Sequence, residues 1–477
     1  MPEVELTIDQ FSKKGKGVAS YRDAKVEVVG GIPGDRVRVE LTRKRKGWHK
    51  GFLREVIEKS SLRVVPLCAH VPHCGGCSWQ EIAYSKQLEE KQARVRTFFS
   101  AWLQNREEIL RPILPCDEPW RYRNKMEFSF SQNRAGEHFL GLMLAGGKNR
   151  VLNLTECHLT SPWFSVVLNA VRNWWVPSGI LAYRVNDEGA LRTLILREGQ
   201  RTGDKLVMLT VSGRPEFALT RQQIESFTDT IKKISPQASV FLRIQQIAKG
   251  VPTQFYELHL SGPDHIKEKL EINTGRDLRT LTFKISPTSF FQPNTRQAER
   301  LYSTALEMVE LPPRAQVFDL YAGTSTLGMA LSLQAERVVG IEINPHAVFD
   351  AEASVLLNGI SNLTLHCGDV GKVLTRLREE PGFERPDLAI VDPPRAGLDP
   401  LALSHLLALL PNQILYISCN PESQAENIKL LIQGGYQLRA LQPVDQFPHT
   451  PHIENIAVLY RTSFAVENKF LKHVRYK

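Results

Sequence analysis

The stretch Val317-Phe318-Asp319-Leu320-Tyr321-Ala322-Gly323-Thr324-Ser325-Thr326-Leu327-Gly328 decides how this chain folds. A strand-type apolar run gives way to a turn of small residues and then to a helical pattern. Small side chains in such a turn let a ligand approach the backbone closely. Outward from this unit the alternation repeats. The β-type runs QVFDL (316–320), RVVGIEI (337–343), LTLHC (363–367), DLAIVD (387–392) and QILYIS (413–418) are each followed by a helical segment, and further β-type runs come after them. Alternation of this kind predicts a parallel sheet with helices on both faces.

Acids mark the strand ends. Glu342 comes 23 residues after Asp319, about the offset at which a carboxylate meets a ribose diol. Asp369 follows the third strand, where an adenine edge would lie. The turn lacks G-x-G-x-x-G, the glycines that seat a pyrophosphate on a helix N-terminus. Three acids at successive strand ends without a phosphate cradle predict a nucleoside ligand, with Asp319, Tyr321, Gly323, Glu342 and Asp369 as its candidate contacts.

Past the fourth strand lies Asp392 in Asp-Pro-Pro-Arg (392–395), and past the fifth lies Cys419 in Ser-Cys-Asn-Pro (418–421). In an open α/β sheet, residues just beyond the carboxyl ends of parallel strands share one mouth, so both are expected beside the ligand. His449, His452 and Glu454 follow in Phe447–Asn455. They also read as metal ligands, but Pro448 and Pro451 work against a helical ligand face, and no complementary set is evident.

With 477 residues the chain is long for one core, and about three domains are expected. The divisions are a β-barrel at 1–60, a central α+β domain at 61–282 and the alternating domain at 283–477. Residues 163–175 (WFSVVLNAVRNWW) carry aromatics at helical spacing and read as core; Tyr84 to Gln104 reads as a helix. The net charge of +9 favours polyanionic partners. It clusters at Arg43-Lys44-Arg45-Lys46, followed by Trp48, His49 and Lys50, a hairpin tip suited to phosphates and stacking. No signal-like N-terminus and no apolar run near the ~18 residues of a membrane span lead us to expect a soluble, cytoplasmic protein with reduced thiols.

Taken together, SFFQ (289–292), DPPR (392–395), SCNP (418–421) and HTPHIE (449–454) resemble the RNA uracil-C5 methyltransferase family, in that family's order. The resemblance implies a class I (Rossmann-like α/β) methyltransferase domain that takes S-adenosylmethionine. It makes Cys419 the nucleophile and Glu454 the proton acceptor. It also puts Gln292 near cofactor and base, with Asp319, Glu342 and Asp392 binding cofactor or orienting the pyrimidine. The chemistry is coherent, because C5 of uracil is too weakly nucleophilic to attack a sulfonium methyl unaided. Thiolate addition at C6 makes C5 an enolate carbon.

Cys68, Cys74 and Cys77, with the distant Cys157, form a candidate four-thiolate site for zinc or an iron–sulfur cluster. CGGCSWQ (74–80) resembles the family's iron–sulfur branch, which implies a 4Fe-4S cluster; Cys116 and Cys367 read as packing residues. GKGVASYRD (15–23) with VEVVGGIPGD (26–35) resembles a TRAM domain, an OB-like RNA-binding barrel. Barrel and cysteines together look more like the family's ribosomal branch, which implies 23S ribosomal RNA as the substrate; a monomer and no membrane partner are expected. A tRNA substrate and a non-catalytic RNA-binding paralogue are the alternatives. One departure stands out: the family's Cys-Gly-x-Gly turn is here Ala322-Gly323-Thr324-Ser325. A left-handed Ser325 would cost on the order of 1 kcal/mol and weaken cofactor binding.

Overall fold

A computed structural model of the chain describes residues 2–147, 149–184, 188–275 and 277–462. The last fifteen positions of the expected 283–477 domain therefore lie outside the described residues. The N-terminal strands β1 (Glu3–Thr7), β2 (Gln10–Phe11), β3 (Gly17–Tyr21), β4 (Ala24–Val28), β5 (Arg36–Leu41) and β6 (Trp48–Glu58) form one sheet in the order β1-β5-β6-β4-β3-β2. The alternation in RVRVEL buries Val37, Val39 and Leu41 against Leu6, Ile8, Val26 and Val28. Buried Asp35 then fixes the exit of the chain. Its carboxylate accepts from the Ile32 and Ser60 amides at 2.7 and 2.9 Å and pairs with Arg63 at 2.7 Å.

Helix α1 (Tyr84–Phe98) and the short α2 (Ser100–Leu103) occupy the stretch read as one helix. The break comes at Phe99, which is fully buried. Val95, Phe99 and Leu103 pack with Leu320, Tyr416 and Leu441 of the C-terminal sheet, not with the central one. The central sheet has the order β13-β12-β11-β10-β7-β8-β9. Its strands are β7 (Lys125–Gln132), β8 (His138–Met143), β9 (Val151–Asn153), β10 (Leu191–Glu198), β11 (Lys205–Ser212), β12 (Ser239–Gln246) and β13 (Gln254–Ser261). Helices α3 (Pro162–Trp175) and α4 (Arg221–Ile234) cover one face. Phe164, Val167, Leu168, Val171 and Trp175 bury the stripe that the spacing predicted. The hairpin β14 (Ile266–Asn273) and β15 (Leu278–Ile285) joins the C-terminal core, with Leu270 and Phe283 in one cluster with Val317 and Leu388.

After α5 (Thr295–Glu307) the alternating elements appear where the pattern put them: β16 (Gln316–Leu320), α6 (Thr326–Ser332), β17 (Arg337–Glu342), α7 (Pro345–Leu357), β18 (Leu363–Cys367), α8 (Val370–Glu379), β19 (Leu388–Val391), α9 (Pro400–Leu409), β20 (Gln413–Ser418) and α10 (Pro421–Gln433). The hairpin β21 (Tyr436–Val444) and β22 (Glu454–Arg461) completes the sheet, in the order β18-β17-β16-β19-β20-β22-β21. Strands β16 to β20 are mutually parallel, and β22 inserts antiparallel to β20. Among the described residues no helix is long and apolar enough to cross a membrane.

Candidate active site

The turn after β16 carries three left-handed residues, Tyr321 (φ 63°), Gly323 (φ 55°) and Ser325 (φ 51°). Ser325 thus adopts the conformation that was expected to cost it energy. The structure also supplies a compensation: Ser325 is fully buried and its hydroxyl donates to Asp319 Oδ2 at 3.0 Å, beside the Gly328 amide at 3.1 Å. A hydrogen bond to a carboxylate stabilises by about 1.5–3 kcal/mol, enough to offset the strain. Glu342, at the end of β17, accepts from the Gly323 amide at 2.9 Å and the Asn344 amide at 2.8 Å. A side chain at Gly323 would project into open space, so a ligand has room against this backbone. Asp369 is exposed, and one of its oxygens caps α8 through the Lys372 amide at 3.1 Å. Burial pushes the Asp319 carboxyl up to about 7; the bonds from Ser325 and Gly328 oppose that, while Asp392 and Glu342 add to it.

The reacting groups meet through sheet register. Ser418, the last residue of β20, faces Asn455 of β22, so Cys419 just past the one strand and Glu454 at the start of the other are brought to the same mouth of the sheet, near enough for the Glu454 charge to act on the thiol. On its other side Glu454 pairs with Val444. Helix α10 locks this register: Gln424 donates to the Tyr416 carbonyl at 2.8 Å and the Asn455 carbonyl at 3.1 Å, and accepts from Asn455 Nδ2 at 2.7 Å. Glu454 is 4% exposed. Burial, then the Asp392 charge, hold its carboxyl well above the usual range, and Arg395 opposes them. Burial alone lifts Asp392 to about 7. The Cys419 thiol is pushed up to about 11 by burial and then by Glu454, while Arg395 draws it down by charge and hydrogen bond. Buried Gln292 is anchored by its carbonyl, which accepts from Asn124 Nδ2 at 2.9 Å, and its Oε1 accepts from Gln446 Nε2 at 3.4 Å.

Several groups at this mouth were not singled out from sequence. Arg395, quoted only as part of a motif, sits by the thiol, and its Nη2 contacts His452 Nδ1 at 3.0 Å. Burial and the Arg395 charge depress His452 to about 4, so its imidazole is neutral at pH 7. A groove of about 960 Å³ opens from Cys419, Asn420 and His452. Its walls include Arg94 of α1, the Cys-loop residues Gly75 and Gly76, and the Phe11–Lys14 turn of the N-terminal sheet. The Arg43–Lys50 tip does not line this groove; Lys44 is paired with Asp23, and Trp48 lies under Lys25.

The four cysteines of the expected cluster lie near one another. The thiols of Cys68, Cys74, Cys77 and Cys157 are electrostatically coupled, and burial raises all four. Among the described residues, however, no group of three or more His, Cys, Asp or Glu side chains is arranged to hold a metal ion. Cys116 is buried and bonded to Asn294, as a packing residue would be, whereas Cys367 is exposed at the end of β18.

A seven-stranded sheet in this order, with a small-residue turn after its first strand and acids beyond its strand ends, defines a class I methyltransferase. Residues 218–462 match the family described as tRNA (uracil-5-)-methyltransferase. An uncharacterised RNA methyltransferase of Protochlamydia amoebophila is 47% identical over 442 residues, covering 91% of this chain and 99% of the relative. Another from Clostridium tetani is 34% identical over 464 residues, covering 96% and 98%. The Pyrococcus abyssi tRNA (uracil-54, C5)-methyltransferase, solved with S-adenosyl-L-homocysteine, superposes with a TM-score of 0.70 at 24% identity over 96% of this chain and 100% of that one. This chain belongs to the RNA uracil-5 methyltransferase family and is an S-adenosylmethionine-dependent enzyme of that kind.

Two outcomes follow for the site. By calorimetric titration with S-adenosylhomocysteine, Ser325→Ala should bind more weakly than Ser325→Gly, because both lose the bond to Asp319 and only alanine keeps the strain of about 1 kcal/mol; equal affinities would contradict this. Glu454→Gln should raise the thermal midpoint at pH 8 by roughly a few degrees. A carboxyl whose folded pKa is raised favours the folded state below its unfolded value and loses that contribution as pH rises through the folded one. The gain should therefore vanish as pH falls toward 4.5, the ordinary value for glutamate.

Proposed function

We propose that Cys419 adds to C6 of a uridine in RNA and that Glu454 removes the C5 proton after methyl transfer. The observation that carries this reading is the register that brings a thiol and a buried carboxylate to the same mouth of the sheet. S-adenosylmethionine, when bound, supplies an electrophilic methyl group; Asp319, Tyr321, Gly323, Glu342, Asp369 and Gln292 are the residues that would hold it. The thiolate forms the S–C6 bond, and the electron pair at C5 takes the methyl group as the donor's sulfonium–methyl bond breaks, that bond's electron pair staying on the sulfur. Glu454 accepts the C5 proton, and the pair left at C5 re-forms the C5–C6 double bond as the S–C6 bond breaks. Arg395 favours the thiolate at the first step, and Asp392 is placed to orient the pyrimidine. A buried base with a raised pKa is well matched to taking a carbon-bound proton near neutral pH.

The finer assignments belong to the same proposal. The N-terminal sheet acts as an OB-like TRAM module, and the strand bearing the target lies in the groove, with Lys13, Lys14 and Arg94 near its phosphates. We take 23S ribosomal RNA as the target, from the resemblance of the N-terminal module and Cys loop. A tRNA is the second reading, favoured by the description of the matching family. An RNA substrate and reduced thiols suit a cytoplasmic monomer. The test is to incubate wild-type, Cys419→Ala and Glu454→Gln proteins with labelled methyl donor and separated tRNA and ribosomal RNA. Label should reach C5 of uridine in ribosomal RNA with wild type only. Label in tRNA alone would move the target, and full activity of Cys419→Ala would sink the mechanism.

A further inference from the structure

The loop joining β21 to β22, residues 445–453, delivers Glu454, and little within the loop itself holds its shape. It contains Pro448 and Pro451, and between them His449 has φ 65°. A left-handed non-glycine residue persists only where its surroundings over-determine it. At Gln446 the surroundings are Asn294, which donates to its carbonyl at 3.2 Å; elsewhere they are helix α1 and the chain around it, more than three hundred residues away in sequence. Lys91, fully buried, pairs with fully buried Asp445 at 2.5 Å and donates to the Phe447 carbonyl at 3.1 Å. Tyr84 donates to the other Asp445 oxygen at 2.8 Å. Gln87 accepts from the His449 amide at 2.9 Å and meets His449 Nδ1 at 3.2 Å. The Trp79 amide donates to the His449 carbonyl at 3.0 Å, and Trp120 stacks on the imidazole with centroids 3.9 Å apart.

We propose that Lys91 and Gln87 are positioning residues for the second half of the reaction, fixing the 445–453 loop so that Glu454 reaches the C5 proton of the methylated adduct. This rests on the reading of Cys419 as nucleophile and Glu454 as base. The two halves are separable because their supports differ. Cys419 follows β20, whose hydrogen bonds run to β22 and to Gln424 of α10; α1 packs in one apolar cluster with Tyr416 but makes none of these hydrogen bonds. Burying an ammonium and a carboxylate is costly: burial, with a smaller push from Arg94, lowers the Lys91 pKa, an effect Asp445 opposes. A lysine kept there against that cost makes two bonds that shape the loop.

The experiment uses the full chain and a transcript of the RNA that accepts label, made once with uridine and once with 5-fluorouridine. Fluorine cannot leave as a proton does, so the second transcript reports addition and methyl transfer alone. Lys91→Met should form the fluorinated adduct at close to the wild-type rate. On uridine RNA it should turn over on the order of 10²-fold more slowly, with methylated protein–RNA adduct persisting. Gln87→Ala, which leaves the ion pair intact, should show the same split and stands in if the charge variant fails to fold. Parallel loss of adduct formation and turnover, or unchanged turnover, in the variant that folds overturns the proposal alone. Wild-type protein that forms no adduct overturns the underlying reading and the proposal with it.

Discussion

Cys419 and Glu454 are 35 residues apart in the sequence, and the antiparallel register of β22 against β20 makes them neighbours. A parallel sheet gathers the ends of its strands at one mouth, but it can offer there only residues that follow strands. By inserting β22 in the opposite sense, the sheet adds the start of a strand to the same place. A slip of one residue would turn Glu454 to the other face. The bonds from Gln424 across Tyr416 and Asn455 therefore matter beyond their individual strength of about 1 kcal/mol, because they hold the register on which the chemistry depends.

The mouth is crowded with acids and desolvated. Asp319, Asp392 and Glu454 all have raised carboxyl pKa values, and in each case burial is the leading cause. Such an arrangement works against stability, since each carboxyl must be charged in a poorly solvated place. It suits catalysis because a base held above its ordinary pKa has a stronger pull on a carbon-bound proton. The thiol suffers from the same environment, and Arg395 offsets part of that. Opposed demands on one small volume, a thiolate first and a carboxylate base later, explain why a guanidinium stands beside the pair.

The order of elements was legible in sequence because hydrophobic periodicity is local: every strand from Gln316 to Ser418 appears where its apolar run lies. The placement of Cys419 and Asp392 followed from the strand-end rule. Contacts set by register or by distant segments were not legible. Nothing near Glu454 in the chain announces Cys419, and nothing in α1 announces Asp445. Local charge singled out the basic Arg43–Lys50 tip, but it could not announce that the Phe11–Lys14 turn lines the groove. Cysteine spacing did announce that Cys68, Cys74, Cys77 and Cys157 come near enough to couple, although among the described residues they are not arranged as a metal-holding group. Ser325 shows the middle case: its left-handed backbone could be anticipated from the missing glycine, but its bond to Asp319 could not.

The central claim is that Cys419 becomes bonded to the base it modifies. The most direct measurement is peptide mass mapping after incubating the full chain with S-adenosylmethionine and 5-fluorouridine RNA, followed by nuclease and protease digestion. The account predicts a single modified peptide containing Cys419, heavier by one methylated 5-fluorouridine nucleotide. Attachment at any of the other cysteines, or methylated RNA released with no protein-bound nucleotide, would contradict it.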